Sequence, residues 1–302
     1  MFFVSLNVSA MSEKEVKVSS DGFELSGSLV EADNNRRDVV LLLIAGSGPT
    51  DRNGNQVNLV NNSMKQLATE LSKLGISSLR YDKRGVGASN NTPLIESELS
   101  IKDYINDAKV WLSYLLEHKQ YSKIIVAGHS EGALIGSVIA QEDGVDRFIS
   151  ISGVSEPADK LLKKQLSALP EPLLGEANRV LDSLVLGETV NDLSEQLNSI
   201  FRPSVQPYLI SWFQLNPREE IAKVKVPVLI VHGERDIQVG AKSASELNGS
   251  AQHSKLVEIK AMNHIFKQVD QDIQSNINSY NNPNLPISGD LVNTVARFAL
   301  SD

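Results

Sequence analysis

A serine stands between two glycines at residues 128–132, where the sequence reads GHSEG. The stretch before it, "KIIVAGHS", predicts a buried strand, and the stretch after it, "GALIGSVIA", predicts a helix that is apolar almost all round. Gly-x-Ser-x-Gly at such a junction is the pattern of a nucleophile elbow, a strained turn that exposes the serine hydroxyl. The small neighbours permit the turn, and the first helical amides supply free donors beside it. We therefore predict that Ser130 is a nucleophile, the alternative being a helix start that is rich in small residues by chance.

A serine alcohol is a weak nucleophile, so it needs a base, and the base needs an acid that orients it. After a nucleophile elbow these partners follow in the order Asp or Glu, then His, each beyond the end of a strand. Asp236 lies a few residues beyond the predicted strand 227–231, and His264 lies just beyond the predicted strand 255–260. We predict that Asp236 and His264 complete a catalytic triad with Ser130.

The other histidines fit other roles. His129 should pack behind the turn, because successive side chains at a strand end point to opposite sides. We expect a helix-end residue at His118, a hydrogen-bonded core residue at His232 and a solvated loop residue at His253. Two glutamates are alternatives for the acid, Glu234 and Glu156. The five histidines lack the i, i+4 spacing of a helical zinc site, so the sequence predicts no metal and no cofactor.

Two backbone amides are candidates for holding the negative charge that develops on a substrate oxygen. One belongs to Glu131, the residue after the nucleophile, and the other to Ser47 in the loop "AGSGPTDRNGN". Gly46 and Gly48 would allow a substrate to approach the backbone. A phosphate-binding loop is the alternative, but Asp51 occupies the place of the third glycine of a dinucleotide fingerprint, and no Gly-Lys-Ser/Thr follows.

The sequence allows two roles for each of two further groups of residues. In "RYDKRGVGAS" (80–89), Asp82 and Arg84 could form an ion pair that fixes the loop, or Arg84 could meet an anionic substrate group; we favour the structural role. Four aromatic residues of one helical stretch either line an acyl pocket or attach that stretch to the sheet: Phe201, Tyr208, Trp212 and Phe213.

Strands and helices alternate along most of the chain, which predicts an α/β fold with a mostly parallel sheet covered by helices on both faces. Leucine-rich helical pieces separated by prolines interrupt this alternation at 155–220 and predict an inserted helical cap. The predicted organisation is a terminal segment 1–12, a core formed by 13–154 and 221–302, and the cap. An Asn-rich loop is expected at 276–284.

Composition excludes several classes of protein. The 302 residues are 41% apolar and 22% charged, enough to bury a large core, and the net charge of −8 makes nucleic acid a poor partner. The absence of cysteine excludes thiol nucleophiles and thiolate metal sites. The sequence contains no apolar run of the roughly 20 residues that an integral membrane segment needs.

The amino terminus leaves the compartment open. "MFFVSLNVSA" is apolar and ends in small residues that suit signal cleavage, but it has no basic start and only a short apolar stretch. It is either the remainder of a signal peptide, which implies the periplasm, or an ordinary terminus of a cytoplasmic protein. The sequence does not indicate the oligomeric state.

The elbow "GHSEG", the acid segment "HGERDIQV" and the histidine segment "NHIF" resemble, in order and context, those of the α/β-hydrolase superfamily, from about residue 13 to the end of the chain. Together, "GSGPTDRNGN", "RYDKRGVGAS" and "GHSEGA" are similar to a group of bacterial serine hydrolases whose characterised members are carboxylesterases. The resemblance implies an esterase fold with a helical cap, but no particular substrate.

The resulting hypothesis is a serine hydrolase that cleaves esters of small carboxylic acids through an acyl-enzyme. A peptidase, amidase or thioesterase could use the same triad, since fold alone does not choose among them. Serine at position 130 disfavours dehalogenase and epoxide hydrolase chemistry, which would need a carboxylate there. A different class also remains open, a non-catalytic protein that binds a ligand or a partner in the cleft below the cap.

Overall fold

The computed structural model describes residues 12–32, 38–117 and 120–301. Residues 1–11 of the predicted terminal segment lie outside these ranges, as does His118. The strands are β1 (Ser12–Ser20), β2 (Phe23–Glu31), β3 (Val39–Ile44), β4 (Ser77–Tyr81), β5 (Lys123–His129), β6 (Arg147–Ile151), β7 (Val228–Gly233) and β8 (Ser254–Ile259).

These eight strands form one sheet in the order β1-β2-β4-β3-β5-β6-β7-β8. β1 and β2 pair antiparallel with their neighbours, and the strands from β4 to β8 pair in parallel. The β-branched and leucine run of β3 is buried along its whole length, as expected for a central parallel strand. The carboxyl ends of β3, β5, β7 and β8 therefore meet at one edge of the sheet, where the loops of interest begin.

The α-helices are α1 (Ser63–Lys73), α2 (Ile101–Glu117), α3 (Glu131–Ile139), α4 (Ala158–Leu166), α5 (Leu173–Val185), α6 (Asn198–Phe201), α7 (Gln206–Phe213), α8 (Pro217–Ala222), α9 (Ala241–Ser250), α10 (Ile273–Ser279) and α11 (Gly289–Leu300). A capping interaction stabilises the start of α2, where Asp103 Oδ2 accepts from the Ser100 amide at 2.7 Å. The Asn-rich stretch was expected to be a loop, but its first part, through Ser279, belongs to α10.

The side chains of β3 alternate between two apolar cores. Val40, Leu42 and Ile44 join a core built with α2, α3, α9 and the helices of 155–220. Leu41 and Leu43 join a second core built with α1 and α11. Because successive side chains of a strand point to opposite faces, the two cores cover the two faces of the sheet.

Helices α4 to α7 and most of α8 occupy residues 155–220, which we call the helical segment. It begins after the carboxyl end of β6, at the edge of the sheet where Ser130 lies, and leads to the amino end of β7 at the opposite edge, because β6 and β7 are parallel. Its apolar side chains, among them Leu181, Leu184 and Phe201, are continuous with the core on the α2 and α3 face. The segment is thereby packed on the sheet rather than separate from it.

Candidate active site

Ser130 occupies a strained turn between β5 and α3. Its φ of 55° and ψ of −118° lie outside the ordinary regions for a residue with a side chain. The turn is closed by two backbone hydrogen bonds, from the Ser130 amide to Ile151 O at 3.0 Å and from the Ala133 amide to Ser130 O at 2.9 Å. Strain of this kind persists only where the surroundings impose it, and it is common at functional sites.

The flanking glycines are required by contact with backbone. A Cβ at Gly128 would lie 2.0 Å from Gly132 O, and a Cβ at Gly132 would lie 2.4 Å from Ile44 O at the end of β3. Neither position can hold a side chain without moving main chain. The two glycines of the pattern are therefore explained by two close approaches, of β5 to α3 and of α3 to β3.

His264 and Asp236 are joined across two loops. His264 Nδ1 lies 2.8 Å from Asp236 Oδ2, so in the neutral imidazole Nδ1 carries the proton and Nε2 is the free nitrogen. Asp236 Oδ1 accepts from the amides of Gln238 at 2.8 Å and Val239 at 2.9 Å. Burial alone would raise the pKa of Asp236, but the hydrogen bond and charge of His264 and these amides outweigh it and hold the pKa below its ordinary value. Asp236 is therefore suited to remain a carboxylate beside the imidazole.

A buried amide network, which the sequence did not reveal, holds the two loops together. Asn263 donates to Asn276 Oδ1 at 3.0 Å and to Ser279 Oγ at 2.7 Å, and it accepts from the Lys267 amide at 2.9 Å. Asn276 in turn donates to Arg235 O at 2.7 Å, in the loop of Asp236. The only sequence signal is Asn263 directly before the histidine; Asn276 lies in α10, where nothing in the pattern distinguishes it from its neighbours.

Ser130 and His264 border the same cavity, whose volume is about 100 Å³. Ser47 lies in its wall, together with apolar side chains of Leu59, Met64 and Ile265. Asp236 stands behind His264 and is not among the lining residues.

The loop after β3 lies against the serine turn. A Cβ on Gly46 would lie 3.3 Å from Ser130 Cβ and 3.2 Å from His129 Nδ1, so the loop backbone packs directly on the turn. The peptide between Gly46 and Ser47 is thereby placed beside Ser130. Glu131 begins α3, and its side chain is buried, with Oε2 accepting from the Tyr208 hydroxyl at 2.7 Å.

His129 also lines the cavity, in contrast to the expectation that it packs behind the turn. Its Nε2 lies 2.9 Å from His264 O, and its ring centroid is 4.7 Å from that of His264. Burial, with a smaller contribution from the neighbouring His264, lowers the pKa of His129 to about 3. The imidazole of His129 is therefore neutral and supports the backbone of His264.

The remaining histidines that the structure describes do not border the cavity of Ser130. His253 is exposed, as expected. His232 is buried, as expected, but its Nδ1 has no hydrogen-bond partner among the described residues.

The expected pairing of Asp82 with Arg84 is wrong, because each has another partner. Arg84 forms two hydrogen bonds with buried Asp107, of 2.8 and 2.6 Å. Asp82 accepts from the amide and Nε of Arg52, at 2.7 and 2.9 Å. Arg52 belongs to "GSGPTDRNGN", so this ion pair joins the two motifs and fixes the loop that carries Ser47. Arg84 has the structural role that the sequence favoured.

The four aromatic residues proposed for an acyl pocket do not line the cavity that holds Ser130. Phe201 is completely buried in the core, and Tyr208 and Phe213 are nearly so. Tyr208 and Trp212 contact each other, with ring centroids 5.9 Å apart. These residues attach the helical segment to the rest of the fold, while the cavity wall includes the loops after β3 and β8 and the start of α1.

Within the described ranges, no helix is both long and apolar enough to span a bilayer. Over the same residues, no cluster of three or more carboxylate or imidazole groups has the geometry of a metal site.

The chain is similar to known hydrolases in sequence and in fold. The family model Hydrolase_4, described as "Serine aminopeptidase, S33", matches residues 60–202. Esterase EstD of Thermotoga maritima is 27% identical over 230 residues, which are 75% of this chain. The chain spans about half the length of that curated relative, 54%.

Solved structures of low sequence identity share the fold. Est1E from Butyrivibrio proteoclasticus is 18% identical and superposes with a TM-score of 0.61, over 95% of this chain and 97% of that one. The Pyrococcus furiosus esterase Pf2001 is 17% identical, with a TM-score of 0.59 over 96% of this chain and 92% of that one. The predicted α/β-hydrolase fold is confirmed. The likeness in sequence to an esterase supports the predicted class, an esterase-type serine hydrolase.

Proposed function

We propose that the protein is a serine hydrolase that cleaves esters of small carboxylic acids through a Ser130-His264-Asp236 triad. One observation carries the proposal: Ser130, on its strained turn, shares a small cavity with His264, whose other ring nitrogen is held by Asp236. The similarity to Esterase EstD supports the choice of ester over other acyl compounds.

In the proposed reaction, His264 Nε2 takes the hydroxyl proton as Ser130 Oγ attacks the ester carbonyl carbon. The amides of Ser47 and Glu131 hold the negative oxygen of the tetrahedral intermediate. His264 then gives the proton to the departing alkoxide, which leaves as the alcohol, and an acyl-enzyme remains. Water repeats the sequence, releases the carboxylic acid and restores the serine. Asp236 stabilises the imidazolium in both halves.

The proposed domain organisation divides the chain into a catalytic core and a cap formed by the helical segment. We propose that 13–154 and 221–302 form the catalytic core and that 155–220 form a cap on it. The aromatic cluster of α6 and α7 supports a role in attachment.

The wild-type protein and Ser130→Ala, compared on nitrophenyl esters of increasing acyl length, test the proposal. We expect turnover of the shortest esters by the wild type and a loss of about three orders of magnitude or more in the variant, since removing the nucleophile of such a triad has effects of this size. A fluorophosphonate probe should form an adduct at Ser130 in the folded wild type only. Equal turnover by both proteins, or no adduct, would refute the proposal.

A peptidase is the second candidate, because the matching family model describes a serine aminopeptidase. Aminoacyl amides and short peptides assayed beside the esters separate the two activities, since a peptidase must also protonate a poor amine leaving group. We expect the specificity constant kcat/KM to be higher for the esters. Faster cleavage of aminoacyl amides would replace the ester proposal with the peptidase one.

A further inference from the structure

Lys83 is a buried cation directly behind the loop of Ser47. It follows Asp82 in the stretch after β4, and its side chain is 3% exposed. Its ammonium donates to Gly46 O at 2.7 Å and lies 5.1 Å from the ring centroid of Tyr104. The ester chemistry proposed above does not use Lys83, and the sequence pattern gave it no role.

The hydrogen bond from Lys83 reaches the peptide unit that carries the Ser47 amide. Gly46 C=O and Ser47 N–H belong to one planar group, so a donor fixed on the oxygen also fixes the direction of the N–H. A cation on the oxygen draws electron density from the peptide and strengthens its N–H as a donor, because linked hydrogen bonds polarise one another. Lys83 thus both orients and polarises a candidate oxyanion donor.

The second candidate donor is tied to the same ammonium. Glu131 Oε1 lies 3.7 Å from Lys83 Nζ, an ion pair too long for a hydrogen bond, and Glu131 Oε2 accepts from the Tyr208 hydroxyl at 2.7 Å. Tyr208 belongs to α7 in the helical segment. Four residues therefore contact both candidate donors and connect them to the helical segment: Lys83, Glu131, Tyr104 and Tyr208.

Packing alone does not account for a lysine at this place. Burial lowers the pKa of Lys83, opposed by Glu131, so keeping the ammonium charged here has a cost. Apolar residues of similar volume often replace buried ion pairs without loss of stability. The need for a positively charged donor on the Gly46 carbonyl oxygen is a sufficient reason for a lysine at this position.

We propose that Lys83 is a positioning residue of the oxyanion hole, which holds the Gly46–Ser47 peptide with its N–H toward the oxyanion, and that Glu131 and Tyr208 hold Lys83 from the other side. This role rests on the proposed function.

The test compares Lys83→Met, which keeps length but removes donor and charge, with Lys65→Met at an exposed position of α1. We expect kcat for a short nitrophenyl ester to fall about 10- to 100-fold in Lys83→Met, less than or similar to the loss of an oxyanion donor. KM should change less than about threefold, because the interaction matters in the transition state. Inhibition by phenylboronic acid, which forms a tetrahedral adduct on serine, should weaken in parallel with kcat. Lys65→Met should match the wild type in all three measurements.

Circular dichroism and thermal unfolding establish whether Lys83→Met is folded. If it is not, Tyr208→Phe provides the test, since it removes only the hydroxyl that holds Glu131, and we expect a fall in kcat of about threefold to tenfold with KM retained. A folded variant whose kcat lies within about twofold of the wild type, or whose loss is confined to KM, would overturn the role of Lys83. An inactive wild type that the fluorophosphonate does not label would instead refute the proposed function, and this role with it.

Discussion

The turn of Ser130 and the loop of His264 border one cavity, but different forces hold them in place. The serine turn is held by backbone against backbone: Gly128 touches the start of α3, and Gly132 touches the end of β3. The histidine loop is held by polar side chains, chiefly Asn263 and Asn276, which are buried and hydrogen-bonded to each other. Steric contact between main-chain atoms fixes the serine turn, whereas a set of side-chain hydrogen bonds holds the histidine loop.

The serine turn and the histidine loop should therefore tolerate substitutions to different degrees. A Cβ added at either glycine would overlap main-chain atoms, and no side-chain rotation can relieve that overlap. A glycine substitution at the turn should therefore affect the whole fold. Loss of one hydrogen bond in the histidine loop leaves a buried polar group unpaired, which has a smaller and more local cost. Variants at each site can therefore measure how differently the two parts are held.

The largest effect is expected for Gly128→Ala. Its Cβ would lie 2.0 Å from Gly132 O, so β5 and α3 must separate. We expect the free energy of unfolding to fall by about 3 kcal/mol or more and ester hydrolysis to be lost. Urea denaturation followed by circular dichroism measures the first effect.

Gly249→Ala is the matched control, because Gly249 is an exposed position of α9 with no atom within 4 Å of the added Cβ. Its stability should be unchanged or higher by up to about 1 kcal/mol, owing to helix propensity. A Gly128→Ala protein as stable and active as this control would mean that backbone contact does not hold the serine turn.

A smaller effect is expected for Asn276→Ala, which removes the side chain between the loops of Asp236 and His264. The unpaired partners should lower the free energy of unfolding by about 1–3 kcal/mol. Because a misplaced base slows proton transfer, kcat should fall about tenfold while the protein stays folded. Denaturation and steady-state kinetics on one ester provide both values.

Asn278→Ala is the control on the same helix, since Asn278 is exposed and its side chain bonds only to Gln274 among the contacts found in the described residues. Its kcat should equal that of the wild type. If both alanine variants are equally active, the amide network does not position His264.

The smallest effect is expected where the two parts meet, at His129. Its pKa is about 3 in the folded protein, compared with an ordinary value of 6.5. Between these values the unfolded chain binds a proton that the folded protein does not, so stability falls as the pH falls, by at most about 1.4 kcal/mol per pH unit. His129→Gln should make the loss of stability with acid shallower by up to that amount.

Urea denaturation at about pH 7, 6 and 5 measures this slope in each protein. His253→Gln, at an exposed position, should retain the wild-type slope. A His129→Gln slope that matches the wild type would show that His129 does not remain neutral within the fold.

Local patterns predicted much of this molecule. The strands around β3 and β5 are continuous apolar runs, and the strand-turn-helix context of GHSEG located the strained serine. The fold class followed from the alternation of strands and helices. The roles of Asp236 and His264 remain proposals, although the loops after β7 and β8 bring the two side chains within 2.8 Å.

Two of the differences from expectation share one cause. An ion pair of Asp82 with Arg84, two positions away, is one expectation from the sequence, but the partner of Asp82 is Arg52, in another loop. The aromatic side chains of the helical segment were considered for the cavity, but Phe201 is buried in the core instead. Distance along the chain says little about which side chains meet when loops from different strands converge.

Period, glycine spacing and apolar runs act over a few residues, so the amino-acid sequence predicts most of the strands and helices and the serine turn. The contacts between distant groups follow from the folded chain and not from local patterns: Asn263 with Asn276, Asp82 with Arg52, and Lys83 with the carbonyl of Gly46. The physical reason is that a parallel sheet gathers the carboxyl ends of strands from remote parts of the chain at one edge. Polar side chains buried there must then find partners wherever the geometry of the loops provides them.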